Sequence, residues 1–329
     1  MAQLISPKRG LVIGKFMPIH NGHIALINFA KSHCDELIVS MSYTINDAID
    51  AELRYNWIKE IFKNEPKINV ELILDDFDVE ELPLPERTKV WAKKMAAVYP
   101  PVDVFISSEK YGTPFAENLG AECLIFNLER NIVPVSATLI RNNPFKYWDF
   151  LPEVVRPYYV KKICFYGPES TGKSTMAQKM AELYQTECVP EVARELITDN
   201  NLTAADFINI AAAQNQRVID KTKTANKILF CDTDIITTQI YAKHYLGNHL
   251  PELDEYEKVI QYDQYFLLNT DVAWVADELR DLGDKRDEMY AIFKKELVDR
   301  NINFISIEGN YEQRESAIKF FIDALLISP

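Results

Sequence analysis

The chain has 329 residues, of which 47% are hydrophobic and 26% charged, and its formal net charge is −13. This length allows two domains with separate cores, and the acidic balance excludes a protein whose affinity comes from a nucleic-acid backbone, so no DNA binding is expected. The sequence has no apolar run long enough to cross a membrane, and its five cysteines are isolated, which together predict a cytoplasmic protein.

The first half alternates short apolar, β-branched runs with longer amphipathic ones. Strands are predicted at 11–13, 37–41, 70–74, 104–107 and 124–126, and helices at 24–32, 54–62 and 87–98. The second half repeats this alternation, with strands at 163–166, 228–232, 264–268 and 303–307, and helices after Lys173, Thr203 and Glu312. Such alternation indicates βαβ units, so the predicted fold class is two α/β domains with parallel sheets.

The segment from Asn143 to Pro157 joins the two halves and contains three prolines and four aromatic residues. That composition favours an ordered connector over a flexible Gly/Ser linker. The predicted domains are therefore residues 1–157 and 158–329.

Two histidines follow the first predicted strand, in the run Gly14-Lys15-Phe16-Met17-Pro18-Ile19-His20-Asn21-Gly22-His23. A strand that ends here and a helix that begins here place both imidazoles beside the first helical N–H groups, where anions are favoured. A zinc pair or a capping histidine is the alternative, although zinc would need further His or Cys ligands. The run therefore predicts a phosphate site.

The same run resembles the H/T-x-G-H signature of the nucleotidylyltransferase superfamily, whose second signature appears here as Val135-Ser136-Ala137-Thr138-Leu139-Ile140-Arg141. The resemblance implies a Rossmann-like domain in which a substrate phosphate attacks the α-phosphorus of ATP without a covalent intermediate. Such a transfer depends on charge neutralisation and alignment. The residues expected at the ATP and the reacting phosphate are Gly14, Lys15, Phe16, His20, His23, Ser136, Thr138 and Arg141.

Residues 167–174 match the phosphate-binding loop pattern G-x-x-x-x-G-K-[ST] in full, between a predicted strand and a predicted helix. In this pattern Gly172 lets the loop wrap the phosphates, Lys173 reaches the β- and γ-phosphates, and Ser174 ligates Mg²⁺. ATP and Mg²⁺ are therefore predicted for a second, P-loop kinase domain. The other loop residues expected to bind the nucleotide are Gly167, Ser170, Thr171 and Thr175.

Acidic residues near two later strands are candidates for proton transfer and metal binding. Either Glu191 or Asp232 is predicted to be the base for an acceptor hydroxyl, and Asp232 is also a predicted Mg²⁺ ligand. Arg194 is a predicted contact for phosphate or substrate. Asp234 is a predicted substrate residue, for which capping of the next helix is the alternative.

A charged segment after the strand at 264–268 is predicted to form a lid that runs from Trp274 through Arg280 to Arg286. Its arginines can reach over a transferred phosphate, and a solvated charged surface is the alternative. Trp274 is a predicted substrate contact.

The two motifs, in order with Asn143-Pro-Phe-x-Tyr-Trp and Asp232-Thr-Asp-x-x-Thr-Thr-Gln, make nearly the whole chain resemble the bifunctional NadR family. The resemblance implies a C-terminal nicotinamide riboside kinase and an N-terminal adenylyltransferase that makes NAD from nicotinamide mononucleotide and is feeble in some relatives. It also implies that Arg54 and Trp91 lie near the nicotinamide nucleotide, where a surface arginine and a core tryptophan are the alternatives. A helix-turn-helix repressor domain is not expected, because the first strand begins by Gly10.

The expected small-molecule partners are nicotinamide riboside, nicotinamide mononucleotide, ATP and NAD. Two further partner hypotheses are functional coupling to a riboside transporter and association into a homo-oligomer. The alternative functions are a nucleotide-sensing regulator of a transporter, and the same chemistry on a different nucleoside. The intact residues Lys173, Ser174, His20 and His23 favour catalysis over sensing.

Overall fold

The computed structural model describes residues 7–198, 201–275 and 282–327. The chain divides into two compact units between Val155 and Arg156, while the sequence places the boundary at Pro157. Each unit contains one five-stranded parallel sheet. Within the described ranges, no helix combines the length and the apolar character needed to span a membrane.

The first unit has its central strand at the start of the chain. Its sheet order is β3-β2-β1-β4-β5. After β1 the chain adds β2 and β3 on one side and then β4 and β5 on the other, and ligands of open α/β sheets bind at the point where the strand order reverses in this way. The strands are β1 (Arg9–Gly14), β2 (Glu36–Tyr43), β3 (Ile68–Leu74), β4 (Val104–Ser107) and β5 (Glu122–Ile125). The helices are α1 (Asn21–Lys31), α2 (Ala51–Ile61), α3 (Leu84–Val98), α4 (Gly112–Leu119) and α5 (Ala137–Asn142).

The second unit has the order β10-β9-β6-β8-β7, again with its first strand in the centre. The strands are β6 (Lys161–Tyr166), β7 (Cys188–Val189), β8 (Ile228–Asp232), β9 (Gln264–Leu268) and β10 (Phe304–Ile307). The helices are α6 (Lys173–Tyr184), α7 (Ala193–Leu196), α8 (Ala204–Thr222), α9 (Ile235–Leu246), α10 (Glu252–Glu257), α11 (Arg286–Asp299) and α12 (Tyr311–Ile327).

Strand β6 is buried on both faces. Ile163 and Phe165 belong to a core cluster with α6 and α12, and Cys164 and Tyr166 belong to a cluster with α9 and α11. A parallel strand covered on both sides has no solvated face, which explains why β6 reads as a continuous apolar run rather than an alternating one.

The predicted fold class is confirmed, because both units are parallel-sheet α/β domains. The sequence did not predict α4, α5, α7, α10, α11 or β7. All of these except α11 have only two to eight residues, too few to give a clear hydrophobic period. Helix α11 begins at Arg286, where the sequence predicted the end of a charged lid.

Candidate active sites

The first site begins where His20 caps α1. The Gly22 N–H donates to His20 Nδ1 at 3.1 Å, which places the proton of a neutral His20 ring on Nε2. A Cβ atom at position 22 would lie 2.9 Å from His20 Cε1. Glycine at this position therefore lets the imidazole lie against the first turn of the helix.

The two histidine rings stack with their centroids 3.8 Å apart, and Phe16 packs edge-on against His23. Burial and the positive charge of Arg130 lower the pKa of His20 to about 4. Burial, followed by the charges of His20 and Arg130, holds the pKa of His23 well below its ordinary value of 6.5. Both rings are therefore neutral near pH 7. His23 Nδ1 is buried and has no protein partner in the part of the chain that the structure describes.

Two cavities share the loop after β1. The first has a volume of about 300 Å³ and lies over the start of α1. Its lining includes Gly14, Lys15, Phe16, His20, His23, Arg130, Ser136 and Thr138. The second has a volume of about 240 Å³ and is lined by residues that include Asp75, Asp78, Arg87 and Trp91. Gly14, Lys15 and Tyr111 line both cavities, so the exposed Lys15 side chain lies where the two meet.

Trp91 lies in the second cavity, at the centre of a polar cluster. Its indole N–H donates to Asp78 Oδ1 at 2.9 Å, and Arg87 donates to both Asp78 oxygens at 3.0 and 2.5 Å. The Arg87 guanidinium lies 5.0 Å from the centroid of the Trp91 ring. The indole is thus held in place, and its contact with a nicotinamide nucleotide stays a prediction.

Arg54 is neither on the helix surface nor in a cavity lining, as far as the described residues define the linings. Its side chain is fully buried and donates to the Lys15 carbonyl at 2.6 Å and to Asp47 Oδ2 at 2.6 Å. This corrects the expectation of a substrate contact, because the guanidinium faces the rear of the phosphate-binding loop.

The second superfamily signature also contacts that loop. Arg141 donates to the Met17 carbonyl and, at 3.2 Å, to Thr138 Oγ1. The Ser136 hydroxyl accepts from the Leu139 N–H at 3.2 Å and so caps α5. An arginine has five N–H donors, and direct contact of Arg141 with the β- and γ-phosphates stays a prediction.

Arg130 is a site residue that sequence reasoning missed. It lines the first cavity and donates to Glu109 Oε1 at 2.9 Å, and its charge adds to the effect of burial in lowering both histidine pKa values. Arg130 lies in a loop, has a positive φ of 54° and belongs to neither signature. No local sequence pattern therefore identifies it as a site residue.

The second site is the loop between β6 and α6. Gly167 and Gly172 have φ values of 139° and 87°, which favour glycine. Lys173 Nζ and the Thr171 hydroxyl each donate to the Pro168 carbonyl at 2.9 Å. Pro168 has no N–H to offer a phosphate, and its carbonyl instead holds two side chains of the loop.

Asp232 lies beside this loop because β8 pairs with β6 and sets it opposite Phe165. It is 2% exposed, forms a side-chain hydrogen bond with Ser174, and its Oδ1 has no partner in the described ranges. Burial, followed by the charge of Glu191, raises its pKa to about 6, while Lys173 and Ser174 oppose the shift.

A carboxylate oxygen and a hydroxyl are ligands that Mg²⁺ prefers, and Mg²⁺ commonly takes few protein ligands beside phosphate and water. Asp232 and Ser174 fit that chemistry. Among the described residues, no group of three or more His, Cys, Asp and Glu side chains is arranged to hold a metal ion by itself.

Two cavities also meet at Lys173. One has a volume of about 200 Å³ and is lined by residues 170–175 together with Ala273, Val275 and Tyr311. The other, called the aromatic cavity below, has a volume of about 90 Å³. Helices α8 and α9 line it with Phe207, Ile210, Thr237, Tyr241 and Tyr245. Lys173, Glu191 and Arg194 line both, and Arg194 Nε donates to Glu191 Oε2 at 3.2 Å.

Asp234 caps α9 and does not line the described part of either cavity. Its Oδ1 accepts from the N–H and the hydroxyl of Thr237 at 2.9 and 3.0 Å, and its Oδ2 accepts from the Tyr265 hydroxyl at 3.0 Å. Both oxygens are engaged inside the protein. This corrects the expectation of a substrate contact in favour of the capping alternative.

The predicted lid contacts the P-loop where the structure describes it. The Val275 N–H donates to Ser170 Oγ at 2.8 Å, and Arg286 donates to the Ser170 and Val272 carbonyls at 3.1 Å each. The Arg286 guanidinium lies 5.6 Å from the centroid of the Trp274 ring. Trp274 is therefore beside Arg286 and is not in the described lining of the aromatic cavity. Arg280 lies outside the described residues. Contacts of Arg286 with phosphate and of Trp274 with substrate stay predictions.

The sequence matches two family models, a cytidylyltransferase-like family over residues 11–143 and an AAA domain over residues 162–314. Together with the two loops, these matches define a two-domain protein in which a nucleotidylyltransferase-type domain precedes a P-loop nucleotide-binding domain.

The chain is 32% identical over 334 aligned positions to the trifunctional NAD biosynthesis/regulator protein NadR of Escherichia coli and to that of Salmonella typhimurium, covering 93% of this chain and 80% of each relative. It belongs to the NadR family, which confirms the predicted membership.

A nicotinamide-nucleotide adenylyltransferase from Thermococcus onnurineus is 28% identical over 142 residues, which cover 41% of this chain and 71% of that protein. The crystal structure of a NadR protein with NAD and AMP-PNP superposes with a TM-score of 0.79 at 22% identity, over 96% of both chains. A second NadR structure, in complex with NR, gives a TM-score of 0.78 at 22% identity over 97% of this chain and 95% of that chain.

Proposed function

We propose that this chain carries out two consecutive steps of NAD biosynthesis. The second unit phosphorylates nicotinamide riboside with ATP, and the first unit joins the resulting mononucleotide to the adenylyl group of ATP. The observation that carries this proposal is common to both units. In each unit the phosphate-binding loop lies where two cavities meet, and charged side chains line both cavities. These side chains are Lys15 in the first unit and Lys173, Glu191 and Arg194 in the second.

In the kinase unit, residues 170–175 surround the ATP phosphates, and the aromatic cavity takes the riboside. Tyr241 and Tyr245 offer ring faces to the cationic pyridinium. Glu191 accepts the proton of the riboside hydroxyl as its oxygen attacks the γ-phosphorus and ADP leaves. We assign the role of general base to Glu191 because Glu191 lines both cavities, whereas the Asp232 carboxyl is hydrogen-bonded to Ser174.

Asp232 and Ser174 would hold Mg²⁺, which neutralises phosphate charge when bound. Lys173 reaches the β- and γ-phosphates from the junction of the cavities, and Arg194 lies beside the transferred group. These residues supply charge and alignment, the main requirements of phosphoryl transfer.

In the first unit, the mononucleotide phosphate attacks the α-phosphorus of ATP and pyrophosphate leaves. Lys15 neutralises the phosphates at the junction of the two cavities. His20 donates its Nε2–H and His23 a ring N–H to the phosphates, whose negative charge raises both histidine pKa values on binding. Trp91 faces the nicotinamide in the second cavity, and Ser136 and Arg130 lie toward the β- and γ-phosphates.

Incubation of the purified protein with nicotinamide riboside, ATP and Mg²⁺, followed by chromatography, tests the proposal. We expect nicotinamide mononucleotide and ADP to appear first and NAD to follow, with no turnover after chelation of Mg²⁺. A panel of other nucleosides serves as the control. Preferred turnover of another nucleoside, or none of the riboside, would refute the assignment. A cytoplasmic location, self-association and coupling to a riboside transporter remain predictions.

A further inference from the structure

Two arginines are the largest fully buried side chains of the described residues, Arg54 in the first unit and Arg314 in the second. A buried guanidinium is costly unless its N–H groups are paired. Each of these two donates at 2.6 Å to a carbonyl of its own unit's phosphate-binding loop, Arg54 to Lys15 and Arg314 to Thr171.

Arg54 is anchored on its other side by the segment between β2 and α2. Its Nη2 donates to Asp47 Oδ2 at 2.6 Å, and Asp47 in turn accepts from the N–H and hydroxyl of Thr44 at 3.0 and 2.8 Å. Burial opposes ionisation of Asp47, but the hydrogen bonds from Thr44 and Arg54 prevail and lower its pKa. The charged pair therefore persists at neutral pH.

Arg314 is anchored by three further acceptors of the second unit, which lie in the two segments that follow β9 and β10. It donates to the Gly309 carbonyl at 2.8 Å, to the Asn269 carbonyl at 3.0 Å and to Asp271 Oδ1. Asp271 Oδ2 accepts from the Gly309 N–H at 2.5 Å. One guanidinium thus joins the P-loop to the ends of β9 and β10.

The phosphate-binding loops that Arg54 and Arg314 contact each contain a non-glycine residue with positive φ, Phe16 at 45° and Ser170 at 57°. A non-glycine residue keeps this strained backbone conformation only where surrounding contacts hold it in place. In a trans peptide the N–H points opposite to the preceding carbonyl. A held Lys15 carbonyl therefore directs the Phe16 N–H away from Arg54, and a held Thr171 carbonyl directs the Gly172 N–H away from Arg314. Phe16 and Gly172 both line the cavities assigned to phosphate.

We propose that Arg54 and Arg314 are positioning residues for the two transfer reactions, each acting through the peptide plane that it holds. The proposal rests on the proposed function of the two loops. Neither arginine touches substrate; each keeps loop N–H groups aimed at phosphate and turns carbonyl dipoles away from it.

The test uses the full-length protein with Arg54→Lys, Arg54→Met, Arg314→Lys and Arg314→Met. Lys59→Met and Lys319→Met are the controls, since each removes an exposed cation from the same helix. Riboside phosphorylation and NAD formation from the mononucleotide are measured on every variant, with thermal unfolding and the folded fraction. Misplacement of reacting groups by about 1 Å costs on the order of 10²-fold in rate.

We expect the Arg314 variants to lose about 10²-fold in kinase kcat/KM for ATP per folded molecule and to form NAD at the wild-type rate. The Arg54 variants should show the reverse. Lysine keeps the charge but cannot span several acceptors, so it should restore thermal stability more than activity. Losses that equal the unfolded fraction, or full activity in the Lys variants, would overturn the proposal.

A titration with Mg-ATP reads loop geometry without an acceptor, which separates failure of this proposal from failure of the proposed function. We expect two ATP sites in the wild-type and control proteins and a weakening of one site by about tenfold or more in each Lys variant, consistent with the loss of oriented N–H donors. Two unchanged sites in both Lys variants would overturn the proposal whichever nucleoside the enzyme phosphorylates.

Discussion

Replacement Gly22→Ala is predicted to impair NAD formation without unfolding the protein. The added Cβ would lie 2.9 Å from His20 Cε1 and 3.0 Å from Nδ1, so the ring must retreat by about 0.5 Å to reach ordinary contact at 3.4 Å. That movement disturbs the bond from the Gly22 N–H and the stack on His23. Together these changes cost about 1 kcal/mol.

The same substitution gains up to about 0.9 kcal/mol of helix propensity near the start of α1. Stability should therefore change by less than about 1 kcal/mol, while a shift of half an ångström in a phosphate donor reduces kcat for NAD formation by about tenfold or more. The assay is NAD formation from nicotinamide mononucleotide and ATP. Riboside phosphorylation by the same preparation is the internal control. Wild-type kcat in the substituted protein would refute the reasoning.

Three further predictions concern titratable groups. Burial raises the pKa of Asp232 to about 6 from 3.8, so ionisation of this carboxyl destabilises the fold as pH rises from about 4 to 6. Asp232→Asn should therefore stabilise the protein above pH 6, by at most about 3 kcal/mol. The same substitution should abolish kinase activity. An equal effect at pH 4 in urea unfolding would contradict this. The pKa of His20 lies near 4 in the fold against 6.5, so stability falls as pH drops through that range, and pyrophosphate binding at pH 6 should take up protons. Calorimetry in buffers of different ionisation enthalpy measures the uptake, and no uptake would argue against phosphate contact. Asp234→Ala should destabilise by about 1–2 kcal/mol and leave the KM for the riboside unchanged, and a raised KM in folded protein would restore a substrate role.

The sequence predicted those parts of each site that are contiguous in the chain. The P-loop at 167–174 and the His20–His23 run each contain a strand end, a turn and a helix start, so local pattern alone specifies their geometry. The same holds for β6, whose apolar run marks a strand covered on both faces.

The remaining site residues come together only through tertiary packing. Arg314 lies 143 positions from the Thr171 carbonyl that it holds, and its sequence neighbourhood is that of an ordinary helix start. Asp232 and Asp234 are two residues apart, yet one hydrogen-bonds Ser174 beside the P-loop and the other caps α9. The left-handed turn at Thr233, with φ of 78°, separates their directions. The sequence indicated capping as the alternative for Asp234, but the turn at Thr233 that decides between capping and a substrate contact is visible only in the fold.

A complementation assay tests the central claim of two independent ATP-dependent sites in one chain. Wild-type protein, Lys173→Ala, His20→Asn and an equimolar mixture of the two variants are each given nicotinamide riboside, ATP and Mg²⁺, and NAD is measured. We predict no product from Lys173→Ala, accumulated nicotinamide mononucleotide from His20→Asn, and NAD from the mixture. NAD formation by Lys173→Ala alone, or none from the mixture of folded variants, would contradict the account.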